Sequence, residues 1–298
     1  TGKVFQVGFK GGQTIDVNID EAATTGLGAF VMNTQSHADT LTANNLNALT
    51  AATLTLSGYL GSATVTLAAD STSANTSVKK VSADVNAVKD STGIEAVAIT
   101  KGKISGVSAT GVISFDLAGN QTNGVAATTY DVTATLASTS DLDPLVDAIN
   151  AHSANTGISA VLGATAAEII LTHQSGETIE LNKLSIGGST NATMEVSALD
   201  KFGNATTSKD TTLSRAANTT TSVITLGTTN TTGVKARAHI TGQMTLNSIK
   251  SFTVTGDDAT AEEGFFGTGQ SYTGQTTGGG TAKLSAVSSI SVADQEHA

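Results

Sequence analysis

Between residues 78 and 88 the side chains of Val78, Val81, Val85 and Val88 recur at intervals of three and four. That is the period of one face of a helix. Leu142, Leu145, Val146 and Ile149 repeat the pattern further on. Each stripe has start and stop signals around it. Asn75, Thr76 or Ser77 can cap the first helix, and Asp143-Pro144 can supply the N-cap and first helical residue of the second. Gly93 and Gly157 stand just past the stripes, where a left-handed closing residue is usually glycine.

Elsewhere the period is two. Val4 to Val7, a turn at Gly11-Gly12 and the alternating run Thr14 to Ile19 predict a β-hairpin over residues 3–19. Residues 20–50 read as a mixed linker with weak helical pattern. Strands are expected at Ala63–Leu67 before the first helix, and at Val112–Leu117 and Thr129–Leu136 before the second. After the helices they are expected at Ile94–Ile99, Ile158–Leu162, Ile169–Thr172 and Thr178–Leu181. Residues 186–240 read as strands joined by Thr/Asn-rich loops, with Val223–Leu226 one of them. Residues 242–256 predict another hairpin and 257–283 a loop. Leu284–Val292 suggests a strand or the start of a helix.

The two helical stretches are copies. Val85-Asn86-Ala87 followed by Thr92-Gly93-Ile94-Glu95-Ala96-Val97 returns as Ile149-Asn150-Ala151 followed by Thr156-Gly157-Ile158-Ser159-Ala160-Val161, at a constant offset of 64 residues. A repeat of that length is one supersecondary unit used twice. Each unit reads as strands, one helix, then strands, with the helical stripe packed on a sheet. The fold class expected is α+β, predominantly β and multi-domain. The boundaries expected are a hairpin segment at 1–42 with 281–298 returning to it, one repeat unit at 43–110, another at 111–185, and a β-rich segment with linker at 186–280.

Composition narrows the function. The chain has 298 residues, no cysteine, no tryptophan and one proline, Pro144. Disulfides and thiolate metal sites are therefore impossible. Charged residues are 13% and the net charge is −10, which argues against nucleic-acid binding and against anionic membranes. No apolar run approaches the ~20 residues of a membrane span. No basic-plus-apolar leader opens the sequence, so the chain is expected to be intracellular, exported without such a signal, or trimmed at its ends.

Candidate chemistry is sparse. His152 and His173 lie in the second copy with Glu168 between them, but on different predicted elements and without His-x-x-x-His spacing. Both read as neutral surface histidines, His152 at a helix C-terminus. Asp141 and Asp143 read as acids at a helix start, because neither they nor Asp257-Asp258 carry a calcium-loop pattern. Gly278–Gly280 lacks the lysine of a phosphate loop and reads as a flexible linker. Asn75, Asn120, Asn191, Asn204, Asn218 and Asn230 begin Asn-x-Ser/Thr triplets, which an Asn/Thr-rich chain produces by chance. No catalytic, cofactor-binding or metal-binding residue is expected.

Several segments together resemble bacterial flagellin. Phe5-Gln6-Val7-Gly8 with Gly12-Gln13-Thr14-Ile15 is similar to the hairpin of that family, and Thr25-x-Leu27-Gly28 to its continuation. The repeated Ile/Val-Asn-Ala … Thr-Gly-Ile-x-Ala resembles its "IN" motif, which also fits hook-associated proteins. Met244–Leu246 with Phe252–Val254 resembles a strand pair late in the outer domains. Leu284-x-x-Val287-Ser288-Ser289-Ile290 resembles the segment that leads into the C-terminal helices. The family's long terminal helices have no counterpart here, so the resemblance covers the middle of a flagellin: the inner-domain hairpin and the variable outer domains.

The resemblance implies a structural, non-enzymatic subunit of an extracellular flagellar filament. It implies other flagellin subunits as partners, exposure to antibodies or host receptors, no cofactor, no nucleic acid and no membrane insertion. The alternative is a flagellin-like adhesin or polysaccharide-binding protein. For that role Tyr59, Tyr130, Tyr272 and the Phe265-Phe266 pair after Glu262-Glu263 are thinly spread.

Overall fold

The computed structural model describes residues 3–6, 14–17, 28–34, 36, 38–41, 52–67, 77–119, 128–187, 192–206, 223–227, 237–256 and 279–286. The predicted hairpin is present: β1 (Lys3–Gln6) and β2 (Thr14–Val17) pair antiparallel, Lys3 opposite Val17, as a two-stranded sheet. Strands dominate the rest and helices are few, an α+β fold that is mostly β.

The first apolar core lies between two sheets. One contains β3 (Gly28–Asn33), the first half of β7 (Glu95–Ser105), β16 (Gln243–Ser248) and β19 (Lys283–Ala286). The other contains β5 (Ala52–Ser57), β6 (Ser62–Leu67), β17 (Thr253–Gly256) and β18 (Gly279–Thr281). Helices α1 (Val78–Ala87) and α2 (Lys89–Thr92) pack between β6 and β7. Val78, Val81 and Val85 are buried with Leu54, Leu56, Ile94, Met244, Leu246 and Val254.

The second core repeats this plan. One sheet has β4 (Ala38–Leu41), β15 (Arg237–Ile240), β12 (Ile179–Ile186), β8 (Gly111–Ala118) and β9 (Tyr130–Leu136) in the order β4-β15-β12-β8-β9. Opposite it stand β10 (Ile158–Leu162), β11 (Ile169–His173), the second half of β7, β13 (Thr193–Leu199) and β14 (Val223–Gly227). Helices α3 (Asp143–Asn150) and α4 (Ser153–Thr156) lie beside β9 and β10, the end strands of these two sheets. In each unit a short helix pair thus seals the seam where two sheets part. The stripe Leu142, Leu145 and Ile149 is fully buried, and Val146 packs at its edge.

β7 serves both units. Its residues 95–99 pair with β16, and its residues beyond pair with β11 on one edge and β13 on the other. Ala96 and Ala98 belong to the first core and Ile104 to the second. The sequence pattern ends this strand at Ile99, because Thr100-Lys101-Gly102-Lys103 lacks apolar residues. Thr100 and Gly102 nevertheless point inward, covered from both sides.

Four further expectations are corrected. The linker at 20–50 contains β3 and β4: β3 is held on both edges, by β16 and β19, and β4 on one edge, by β15. Residues 242–256 are not a hairpin: β16 pairs with β3 and β7, whereas β17 pairs with β5 and β18. Gly279 and Gly280 are not linker but strand, opposite Thr255 and Val254. Asp143 is not the N-cap of α3; Leu142 occupies that position and makes no side-chain cap. Asp141 accepts the Asp143 N–H at 3.2 Å instead, which leaves Pro144 inside the first turn, where it does no harm. For α1 the cap is Ser77, which accepts the Lys80 N–H at 3.3 Å.

Burial of the stripes carries most of the helices' stability, since α3 is too short to persist in water alone. Ile149→Ala is expected to cost about 2–5 kcal/mol, read from urea unfolding of the whole chain.

Candidate functional site: a repeated amide clamp between helix and strand

The repeat is a hydrogen-bond device. The Asn86 side chain accepts the Ala96 N–H at 2.8 Å and donates to the Ala96 carbonyl at 2.8 Å. Asn150 does the same to Ala160, at 2.8 Å in both directions. A primary amide carries one acceptor and two donors, so it can stand in for the peptide group of a neighbouring strand. Asp would lose the donor and Leu would lose both.

The threonine completes the device. Thr92 donates to the Val88 carbonyl at 3.0 Å and accepts the Ile94 N–H at 3.3 Å. Thr156 donates to the His152 carbonyl at 3.0 Å and accepts the Ile158 N–H at 3.2 Å. Just after the threonine the chain must reverse from helix to strand. Gly93 and Gly157 make that reversal at φ +74° and +72°, as their place after the stripes predicts. Gly58 and Gly119, each just after the first strand of a hairpin, leave room for the Thr92 and Thr156 carbonyls. Ala96 and Ala160 are small and buried beneath the helices.

The residues singled out for chemistry do not come together. His173 is not a surface residue: it is 6% exposed on the inward face of β11. Its Nε2 lies 2.5 Å from where a Cβ on Gly157 would stand, and its Nδ1 is 3.2 Å from Ser175 Oγ. Burial pulls its pKa below the ordinary value; Glu177 opposes this, Lys79 adds to it, and hydrogen bonds with the backbone of Thr156 and Gly119 oppose it. His173 thus packs the second clamp from beneath, whereas the Tyr59 ring covers Gly93 in the first. His152, at the α3–α4 break, stands against the Tyr130 ring with centroids 5.6 Å apart. Glu168 is bonded to Lys103 at 2.8 Å, away from both. Among the described residues no group of three or more His, Asp or Glu side chains could hold a metal ion. Asp257-Asp258, Glu262-Glu263, Phe265-Phe266 and Gly278 lie outside the described residues, as do five of the six Asn-x-Ser/Thr asparagines.

Two contacts that no sequence motif announces tie the units together. Lys79, in the first turn of α1, donates its backbone N–H to the Gly176 carbonyl at 3.1 Å and pairs with Glu177 at 3.0 Å. Lys201, held below its ordinary pKa by burial against the pull of Asp200, donates to Asn33 at 3.1 Å and Thr245 at 3.2 Å.

The geometry defines a class: a scaffold of two helix-sealed β-sandwich units, each closed by the same Asn-Thr-Gly clamp. Residues 114–173, which run from β8 through the second clamp to His173, match the family model of the flagellin hook IN motif. Over this stretch the chain is flagellin-like. Among solved structures it is similar to the flagellar cap protein FliD from Helicobacter pylori at 14% identity, over 83% of this chain and 82% of that one. The TM-score is 0.21, too low to carry an argument. No curated protein matches the chain.

Two outcomes are expected. Gly157→Val puts a β-branched residue at positive φ against the His173 ring and should cost more than the ~1–2 kcal/mol of left-handed strain alone; thermal unfolding reads it. His173 binds fewer protons folded than unfolded below about pH 6.5. Its contribution is therefore complete above that pH and is lost as pH falls through the lower folded value. His173→Gln should flatten the slope of stability against pH below about pH 6.5.

Proposed function

We infer that the chain is the outer, surface-exposed portion of a structural subunit of the flagellar filament, acting in motility outside the cell and assembling with other flagellin subunits. The observation that carries this reading is the IN-motif match, which runs from within β8 through β9, α3, α4 and β10 to the end of β11. It is supported by the second copy of the same clamp 64 residues earlier. The role is mechanical. The clamps and shared β7 make a rigid appendage, and the polar residues serve folding rather than turnover. The division into a hairpin segment and two repeated outer units, with the β-rich segment completing them, belongs to the same proposal.

Immuno-electron microscopy of the bacterium that encodes the protein tests it, with antibodies raised against this chain. Labelling along the whole filament is expected. Labelling confined to the hook or the tip would assign the chain to a junction or cap, and unlabelled flagella would sink the flagellar reading.

A further inference from the structure

Three turns meet at one end of the first unit. After Ser248 the chain passes through Ile249 and Lys250 on its way from β16 to β17. Ser248 Oγ donates to the Gly93 carbonyl at 2.8 Å, which ties this connection to the first clamp. The turn between β5 and β6 joins them: Tyr59 lies against Gly93, and the Leu60 N–H reaches the Thr92 carbonyl at 3.5 Å. Apolar side chains stand out from this end. Tyr59 is 41% exposed, Leu60 55% and Ile249 71%. Lys250 borders them, its Nζ 5.8 Å from the centroid of the Tyr59 ring.

The clamp end of the second unit is covered instead. His173 stands opposite Thr100, halfway along β7, so that end abuts the first unit. The turn after β11 seats Gly176 against Ala98, where a side chain on the glycine would come within 2.4 Å of the alanine Cβ. The Gly176 carbonyl also takes the Lys79 N–H of α1. The second unit thus rests on the first, while the clamp end of the first has only solvent on its apolar side chains.

The chain enters and leaves at that same end. Thr245 stands opposite Asn33 and Ser248 opposite Phe30, and the same register carried on brings Gly28, the first residue of β3, level with Lys250. Ala286, the last of β19, is opposite Gly28. Ten residues separate Gly28 from Val17 of the β1–β2 hairpin, at most about 35 Å of chain. A two-stranded hairpin is marginal in water alone and needs an apolar surface to lie on. Its register sets Phe5 opposite Ile15 and Lys3 opposite Val17. By the two-residue period Phe5, Ile15 and Val17 share one face. The segment also carries Asp16, Asp20 and Glu21, of opposite sign to Lys250.

We propose that the patch of Tyr59, Leu60 and Ile249 is the seat of this chain's own N-terminal segment: the apolar face of the β1–β2 hairpin docks there and caps the base of the first unit. So short a tether holds the hairpin at a roughly millimolar effective concentration, and a small patch is then enough. The contact fixes the angle at which the two units leave their base. The inference stands apart from the flagellar reading, because it uses only where the chain enters and what is exposed there.

Hydrogen exchange of the whole chain tests it. The amides of Phe5 and Ile15 should be protected in the native chain. In the double variant Leu60→Asp, Ile249→Asp they should exchange at least about tenfold faster, as expected when two apolar contacts are lost. Both residues are exposed, so exchange at Ala96 and Ala160 should not change. The absence of cysteine allows a second reading. Oxidised when dilute, Lys3→Cys with Ile249→Cys should form a disulfide within the chain. Lys3→Cys with Val161→Cys, another exposed site but in the second unit, should not. A native hairpin that exchanges as fast as free peptide overturns the proposal, as does protection that survives the double variant. If the double variant does not fold, the cysteine pairs decide: no disulfide at Ile249, or equal yields at Ile249 and Val161, overturns it.

Discussion

A carboxamide facing a strand's backbone is the interaction on which this molecule depends. Each of its sandwiches has a seam where a sheet ends, and a β-sheet that ends leaves N–H and carbonyl groups in need of partners. A helix can cover the apolar core at such a seam but cannot satisfy the strand, because its own backbone groups are bonded internally. Asn86 and Asn150 resolve the conflict. Their side chains sit on the helix and bond like strand, so one residue joins two kinds of secondary structure that otherwise do not share hydrogen bonds.

The rest of the motif follows from that requirement. The asparagine must meet an alanine ten residues on, so the chain has to turn sharply after the helix. Only a left-handed residue turns it that tightly, which fixes Gly93 and Gly157. The turn strands the first N–H of the new strand, and the threonine hydroxyl accepts it while returning its own proton to the helix. Thr, Gly and Ala are thus consequences of Asn. The cover over each glycine is not constrained in this way, and the two units differ there: a tyrosine ring in one, a histidine in the other.

The stripes, the glycines and the 64-residue repeat were legible in the sequence because helical period and left-handed termini are local properties. The clamp was not, although the signal was present. Asparagine near a helix end suits many local roles, and only its fixed distance to a buried alanine in both copies pointed further. His173 was readable too: Ile169, Leu171 and His173 share one face of β11, and that face is buried. A polar residue at an inward position was mistaken for surface. β3 and β4 were missed because runs of four to six residues take their strand state from neighbours distant in the chain. β16 and β17 were read as paired because a short turn joins them, when that turn carries the chain from one sheet to the other.

β7 belongs to neither unit alone. Its eleven residues run without interruption from one hydrophobic core into the other, and Lys79 and Lys201 brace the crossing on separate sides. A pair of domains strung on a loop would swivel. Here the connection is a continuous strand, laddered to β16 in its first half and to β11 and β13 in its second. The two units are therefore spliced rather than hinged: one cannot rotate against the other without breaking the ladder that holds both.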